Sequence, residues 1–313
     1  MKITALAGGV GASKLLLGLT RTMDPRDLTV IVNTGDDIVL HGLYICPDLD
    51  IVTYTLAGSI NPQTGWGLAG DTFHTLKALA RYGREQWFNL GDRDLATHIH
   101  RTALMAGGQK LAEIADSIRR DWGVAATILP ATEHPTPTTI VTELGEMHFQ
   151  EYLVKHRAEP EIVDIRFEGI EMSTPAPDVL DALRSADGIL ICPSNPLISI
   201  GPILAVPGVR ETLWARRERC IAVSPLVKGK SLKGPSDRML EQCLIEPTSC
   251  GVAHLYTDFA SVMVLDPADS PLCPDIVEQG MRPALVPSVM HTEADKDRLA
   301  RGVLALFEEI TAA

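Results

Sequence analysis

The sequence predicts an α/β fold, a Rossmann-like, mainly parallel sheet with helices on both faces and an inserted helical and small β subdomain. Three observations carry that expectation. An apolar run at Ile3 to Ala7 breaks into glycines (Gly8, Gly9, Gly11) and resumes as a helical pattern from about Ala12 to Thr22, followed by a second apolar run at Leu28–Asn33. Alternating strand and helix patterns return in the second half, with apolar runs at Gly188–Cys192, Cys220–Ser224, Ser261–Leu265 and Ala284–Val289. The chain has 313 residues, 45% of them hydrophobic and only 22% charged, enough to bury a large core.

The first unit reads as strand, glycine turn, helix and strand. Right-handed crossover makes the two strands parallel and adjacent, so the loops that follow them face one crevice. Glycine lets the backbone approach an anion there, and the helix N-terminus offers free N–H groups to it. The letters nevertheless miss two known phosphate-loop patterns. Gly-x-Gly-x-x-Gly from Gly9 meets Lys14 at its last position, and Gly11-Ala-Ser-Lys14 replaces the Gly-Lys-Ser/Thr of a P-loop.

Between about Gly70 and Gly123 the period becomes helical, with segments at Asp71–Tyr82, Arg93–Ala106 and Lys110–Trp122; Asp71 is placed to cap the first. Ala125–Leu129, Thr138–Glu143 and Met147–Val154 alternate like a small antiparallel element, with another strand near Ile162–Phe167. The expected organisation is one domain over 1–313 with an insertion at about 60–170. The last helix opens with Thr292-Glu-Ala-Asp295, a capping box carrying Asp in place of Glu or Gln.

A formal charge of −12 argues against a general nucleic-acid or anionic-membrane binder. No run approaches the roughly 18 apolar residues of a membrane span, and no cleavable signal pattern precedes the first strand, so a cytoplasmic location is expected. The six cysteines form no Cys-x-x-Cys pair and read as reduced bystanders.

Four clusters compete to carry chemistry. Asp36 and Asp37, with Asp48 and Asp50, bring four carboxylates to the loops nearest the glycine turn; adjacent carboxylates repel unless a cation sits among them, and a hard divalent ion sharing phosphate oxygens is the usual remedy. A turn and a helix cap explain the same letters. Cys192-Pro-Ser194-Asn195-Pro follows a strand and offers small hydrogen-bonding side chains, or is simply a turn with two prolines. The stretch Lys228-Gly-Lys230-Ser-Leu-Lys233 concentrates lysines in a loop suited to polyanions, or is a solvated turn. In Asp92-Arg-Asp94-Leu-Ala-Thr-His98-Ile-His100, the acids read as cap and first-turn residues, and histidines two apart fall on different helix faces and share no metal.

Taken together, Gly8-Gly-Val-Gly11, Asn33-Thr-Gly-Asp-Asp37, Pro47-Asp-Leu-Asp50, Gly65-Trp-Gly67, Gly91-Asp-Arg-Asp-Leu-Ala-Thr-His98, Phe149-Gln-Glu151, Pro193-Ser-Asn-Pro196 and Ser224-Pro225 resemble the 2-phospho-L-lactate transferase family, CofD/FbiA, over almost the whole chain. The resemblance implies a step in making the deazaflavin coenzyme F(420): a phosphorylated three-carbon acid passes from its guanosine diphosphate adduct to the ribityl hydroxyl of the deazaflavin alcohol Fo, and GMP leaves. It implies Mg²⁺ as cofactor, small-molecule substrates, no nucleic-acid or membrane partner and, as a default, a homodimer. Under that reading Gly9, Val10 and Gly11 contact the donor's phosphates, and Asp36 and Asp50 hold the metal, one of them also taking the hydroxyl proton. Ser194, Asn195, Lys228 and Lys230 take the guanine nucleotide, and Asp37, Trp66, Phe73 and His98 flank Fo. Phospholactate, phosphoenolpyruvate and phosphoglycerate remain open as the acid. A regulatory protein that binds nucleotide sugars without turning them over is the alternative of a different class.

Overall fold

The computed structural model describes residues 1–312. Seven parallel strands form the central sheet: β1 (Ile3–Ala7), β2 (Leu28–Val32), β3 (Thr127–Pro130), β4 (Gly188–Ile191), β5 (Cys220–Val223), β6 (Val262–Leu265) and β7 (Arg282–Leu285). Their spatial order is β7-β6-β5-β4-β1-β2-β3, every neighbouring pair parallel. The chain moves outward from β1 in one direction and then restarts from β4 in the other. Loops leaving β1 and β4 therefore diverge to opposite faces and open a crevice at the strands' carboxyl ends.

The strand residues explain the layers. All of β1, β4, β5 and β6 is buried, as runs such as Ile-Thr-Ala-Leu-Ala and Val-Met-Val-Leu require when both faces are covered. Alternate residues serve opposite faces: Ala5, Ala7 and Val30 pack against Leu15, Leu16, Leu19 and Phe307, while Leu6 and Ile31 pack against Val179, Ile203 and Leu213. Helix α1 (Gly9–Thr22) and the C-terminal helix Glu293–Ala312 lie together on the first face. The expected capping box is present: Thr292 N–H donates to Asp295 at 2.8 Å, and Asp295 N–H to Thr292 Oγ at 3.2 Å. Pro283 lies in the edge strand β7, where a missing N–H costs no ladder bond.

Several boundaries differ from the sequence reading. The stretch 60–170 is two excursions separated by a sheet strand, because β3 pairs with β2 instead of joining the antiparallel element. The first excursion begins before residue 60, leaving β2 at Val32, and holds α2 (Pro47–Leu56), α3 (His74–Leu79), α4 (Asp94–Ala106) and α5 (Leu111–Asp121). The second holds a three-stranded antiparallel sheet of Thr138–Thr142, Gly145–His148 and Ile162–Phe167. Strand character ends at His148, and Glu151–Lys155 is a wide helical turn closed by i to i+5 bonds.

Capping around α3 and α4 is exchanged relative to expectation. Asp92 accepts from the amides of His74 (2.9 Å) and Thr75 (2.8 Å) and from the Thr72 hydroxyl (2.6 Å), so it caps α3 from a distance. Asp71 in turn accepts from the amides of Arg93 (2.9 Å) and Asp94 (3.0 Å) and caps α4. Each acid satisfies the helix that the other precedes in sequence, and the two ends of the segment 71–94 are clasped. Local periodicity carries no sign of this, since either Asp is an acceptable cap for the helix beside it. Asp92→Ala is expected to speed hydrogen exchange at the His74 and Thr75 amides about tenfold with little change at Arg93 and Asp94, and Asp71→Ala to do the converse; amide exchange read by NMR checks both.

Candidate functional site

The crevice at the switch point is a cavity of about 570 Å³. The start of α1 forms one wall. The helix begins at Gly9, three residues earlier than the pattern suggests, so the glycines lie within its first turn. Gly9 has φ +69°, a left-handed conformation that costs glycine little. Gly11 leaves no room for a side chain, as a Cβ there would stand 2.4 Å from the Pro193 carbonyl oxygen. That contact joins the loops leaving β1 and β4, and Ser194 fastens them: its hydroxyl donates to Gly8 O at 2.8 Å and accepts from Gly8 N–H at 3.2 Å.

The floor is the first turn of α2, where Asp48 and Asp50 benefit from the positive end of the helix. Asp48 Oδ1 accepts from Gly9 N–H at 2.8 Å, so the first amide of α1 faces a carboxylate. Asp48 Oδ2 and Asp36 Oδ1 both accept from the single Nδ2 of Asn33, at 2.9 and 2.8 Å. Gln150 Nε2 supports the other Asp36 oxygen at 2.8 Å. Asn33 is itself held, its Oδ1 accepting from Gly35 N–H at 2.8 Å. Gln150 arrives from the antiparallel sheet, its N–H donating to His148 Nδ1 at 3.0 Å, which leaves His148 Nε2 to donate to the Asp37 carbonyl at 3.1 Å.

Two buried carboxylates sharing one amide are electrostatically costly. Burial pushes the Asp36 carboxyl well above the ordinary range, and neighbouring Asp48 raises it further. Burial also pushes Asp48 up to about 6, against the lowering influence of the bonds from Asn33 and Gly9. Among the described residues, no three His, Cys, Asp or Glu side chains form a metal cage by themselves. Mg²⁺, however, is commonly held by one or two carboxylates together with substrate phosphates, and Asp36 with Asp48 beside the α1 amides is such a donor set. The pair fits a hard divalent cation.

Asp50 differs from the expectation that paired it with Asp36. Both of its oxygens receive the guanidinium of Arg101, which is buried. Burial raises the Asp50 carboxyl, while Arg101 and then His98 pull it down. His98, expected in the site, lines the cavity and is buried between Asp50 (Nδ1 to Oδ2, 3.6 Å) and Asp94 (Nε2 to Oδ2, 3.5 Å). His100 faces outward, as its spacing requires.

Gly9, Val10, Gly11, Asp36, Trp66, Ser194 and Asn195 all line the same cavity. Asn195 also caps the turn after it, accepting from Leu197 N–H at 2.9 Å. Asp37 does not line it. Its carboxyl is buried, and burial pushes it well above the ordinary range against the lowering influence of the Cys46 thiol and Arg101. Phe73 is also outside, at the start of α3; Phe88, further along the clasped segment, takes a wall position.

Lys228 and Lys230 are likewise absent from the lining. The backbone N–H of Lys228 is tied to Asp269 at 2.9 Å, and a short hairpin turns the exposed Lys230 out to Asp237 at 3.3 Å. Lys233, further along the loop, and Lys14 on α1 are the lysines that line the cavity. Lys233 donates to the Thr64 carbonyl, linking the basic loop to the turn that carries Trp66, and Lys14 donates to Met290 O at 3.3 Å. Sequence reasoning missed Lys14, Asn33, Asp94, Arg101 and Gln150 as site residues. A signal existed for one group: Asp94, His98 and Arg101 are spaced i, i+4 and i+7 on α4 and must share a face.

A glycine turn, carboxylates, lysines and aromatic side chains thus meet in one switch-point crevice of an α/β fold. Comparison with known proteins names the family. The family profile described as 2-phospho-L-lactate transferase CofD matches residues 3–276. A phosphoenolpyruvate transferase of Streptomyces griseus is 41% identical over 318 residues, covering all of both chains. A 2-phospho-L-lactate transferase of Methanothermobacter thermautotrophicus is 41% identical over 302 residues, covering 96% of this chain and 97% of its own. The chain belongs to the CofD family and is a transferase. In architecture it is similar to a solved UPF0052 family protein of Bacillus halodurans, with a TM-score of 0.60 at 16% identity over 97% of this chain and 98% of the other. No described helix is long and apolar enough to cross a membrane.

Without metal, the acid cluster imposes a pH dependence. Folded Asp48, held up to about 6, keeps its proton where the unfolded group, near 3.8, has released it. The folded state then binds more protons between those values, so stability falls as pH rises through that window, by about 1 to 3 kcal/mol for this group. Urea denaturation of metal-free protein at several pH values checks the slope, which Asp48→Asn should flatten.

Proposed function

We propose that this protein transfers a phosphorylated three-carbon acid, of the phospholactate, phosphoenolpyruvate or phosphoglycerate type, from its guanosine diphosphate adduct to the ribityl hydroxyl of the deazaflavin Fo, with Mg²⁺ as cofactor. Family membership supports this, together with the names of the two relatives, one acting on phosphoenolpyruvate and the other on phospholactate. The observation that carries it is that Asp36 and Asp48, bridged from behind by Asn33, join the first turn of α1 in a cavity whose wall also offers Trp66, Phe88 and Tyr54. A diphosphate suits the first side and a flat heterocycle the second.

In this reading the first turn of α1, with Lys14 and Lys233, receives the donor's phosphates, while Ser194 and Asn195 shape the nucleotide end. Asp36 and Asp48 hold Mg²⁺, oriented by Asn33 and Gln150. When bound, the metal neutralises charge on the transferred phosphoryl group and on the departing nucleotide. The aromatic wall orients the deazaflavin so that its hydroxyl oxygen attacks the phosphorus bearing the acid. An O–P bond forms, the P–O bond to GMP breaks, and the hydroxyl proton passes to a cavity carboxylate. Asp50, whose charge Arg101 stabilises from the protein side, is placed to accept a hydrogen bond from that hydroxyl. Positioning and charge neutralisation do most of the work in such transfers.

Mass spectrometry of products from Fo and a GTP-derived donor, with the three acids in competition, tests the activity and identifies the acid. GMP and the phosphodiester of Fo are the expected products, and EDTA should stop turnover until Mg²⁺ is returned. Asp36→Asn and Asp48→Asn should each lower kcat about 100-fold or more, the loss expected when several kcal/mol of metal-borne stabilisation is removed. Absence of product alongside tight binding of a nucleotide sugar would instead mark a binding protein of the same fold.

A further inference from the structure

We propose that Arg101 is a positioning residue for the transfer, fixing the direction of the Asp50 carboxylate at the cavity wall without itself reaching the cavity. The inference deepens the functional reading above and rests on it.

Arg101 is 2% exposed, and no part of it lines the cavity. Its two terminal nitrogens meet the two oxygens of Asp50, a fork that sets the carboxylate plane as a single ammonium does not. Nη1 also lies 3.4 Å from the Tyr44 carbonyl and 3.3 Å from His98 Nδ1. A guanidinium only donates, so His98 Nδ1 is the acceptor, and Nε2 faces Asp94 Oδ2 across 3.5 Å without a hydrogen bond. Asp94 is anchored in turn: Oδ1 accepts from the Tyr54 hydroxyl at 2.8 Å, and its own N–H is held by Asp71 at 3.0 Å. The face of α4 that carries Asp94, His98 and Arg101 thus forms a braced backing for Asp50, continuous with the clasp at Asp71.

A purely structural ion pair accounts for this arrangement less well. Buried pairs of that kind are often replaceable by apolar residues with no loss of stability. Asp50, however, also lines the cavity. An ionised carboxylate has about four acceptor positions, and the fork uses two, leaving the others to a donor on the cavity side. A hydroxyl-bearing acceptor supplies such a donor. Arg101 thereby supports acceptor alignment, and the donor nucleotide's side of the cavity is built from α1 and the β4 loop, on which Arg101 has no hydrogen bond.

The test uses Arg101→Ala and Arg101→Lys in the full chain, with Fo varied at saturating donor and Mg²⁺, and guanidinium chloride added at concentrations below those that unfold the protein. Arg101→Ala should lose about 100-fold in kcat, as misplacement of a reacting group by about 1 Å does, with the donor KM within about twofold of wild type. Added guanidinium should restore about tenfold of that loss in Arg101→Ala and nothing in Asp50→Ala, a rescue that a merely structural role does not give. If Arg101→Ala fails to fold, Arg101→Lys decides: charge without the fork should still cost about tenfold in kcat. A folded Arg101→Ala without guanidinium rescue, or Arg101→Lys with wild-type kcat and KM, would overturn the proposal while leaving the transferase reading intact. Wild-type protein inactive on Fo would overturn that reading, and the positioning role with it.

Discussion

One side-chain amide lies between two carboxylates at the switch point of the sheet. Asn33 donates to Asp36 and Asp48 from a single nitrogen, and both acids are buried at the amide end of α1. Such an arrangement is unfavourable in isolation, since a neutral amide offsets only part of the repulsion between like charges. It persists because the surrounding structure determines every partner: Gly35 holds the Asn33 oxygen, Gln150 the far side of Asp36, and Gly9 the far side of Asp48. On the proposed reading a divalent cation completes the pair; Lys14 and Lys233 line the same cavity, in a protein of net charge −12.

That constraint explains how the cavity is divided. Carboxylates cannot also be the surface that attracts a diphosphate, so on the proposed reading the attracting groups come from elsewhere: the α1 turn, Lys14, and Lys233 from the loop beyond β5, all of which line the cavity. The apolar side is built by the excursion between β2 and β3, which supplies Tyr54, Trp66 and Phe88. The Asp71 and Asp92 exchange keeps this excursion in place, closing 71–94 into a unit whose far end is α4. Stability and site geometry thus share components, and α4 both packs the excursion and backs Asp50.

Much of the architecture was legible from local pattern. The apolar runs read at Ile3–Ala7, Leu28–Asn33 and Gly188–Cys192 are buried parallel strands within a residue of those bounds, and the Thr292 and Asp295 box announced the last helix. Where pattern misled, the reason was partner choice. Ala125–Leu129 reads with the antiparallel element, but its strand, Thr127–Pro130, pairs with the free edge of β2. Asp71 and Asp92 are each good caps, and only the approach of the two helix ends decides which acid serves which helix.

The amino-acid sequence by itself determined the doubly wound class and the glycine turn at the head of α1, because these depend on apolar periodicity and on residues close in the chain, and its motifs carried the resemblance to the family. Tertiary structure alone decided that Asp48 rather than Asp50 stands beside Asp36, that Lys14 and Lys233 rather than Lys228 and Lys230 face the cavity, and that Arg101 lies behind Asp50. Those outcomes depend on contacts such as Asn33 to Asp48, Arg101 to Asp50, Lys233 to Thr64 and Lys14 to Met290, between residues 15 to 276 positions apart. Over such separations the direction of a side chain is set by which elements pack together, and no local pattern encodes it.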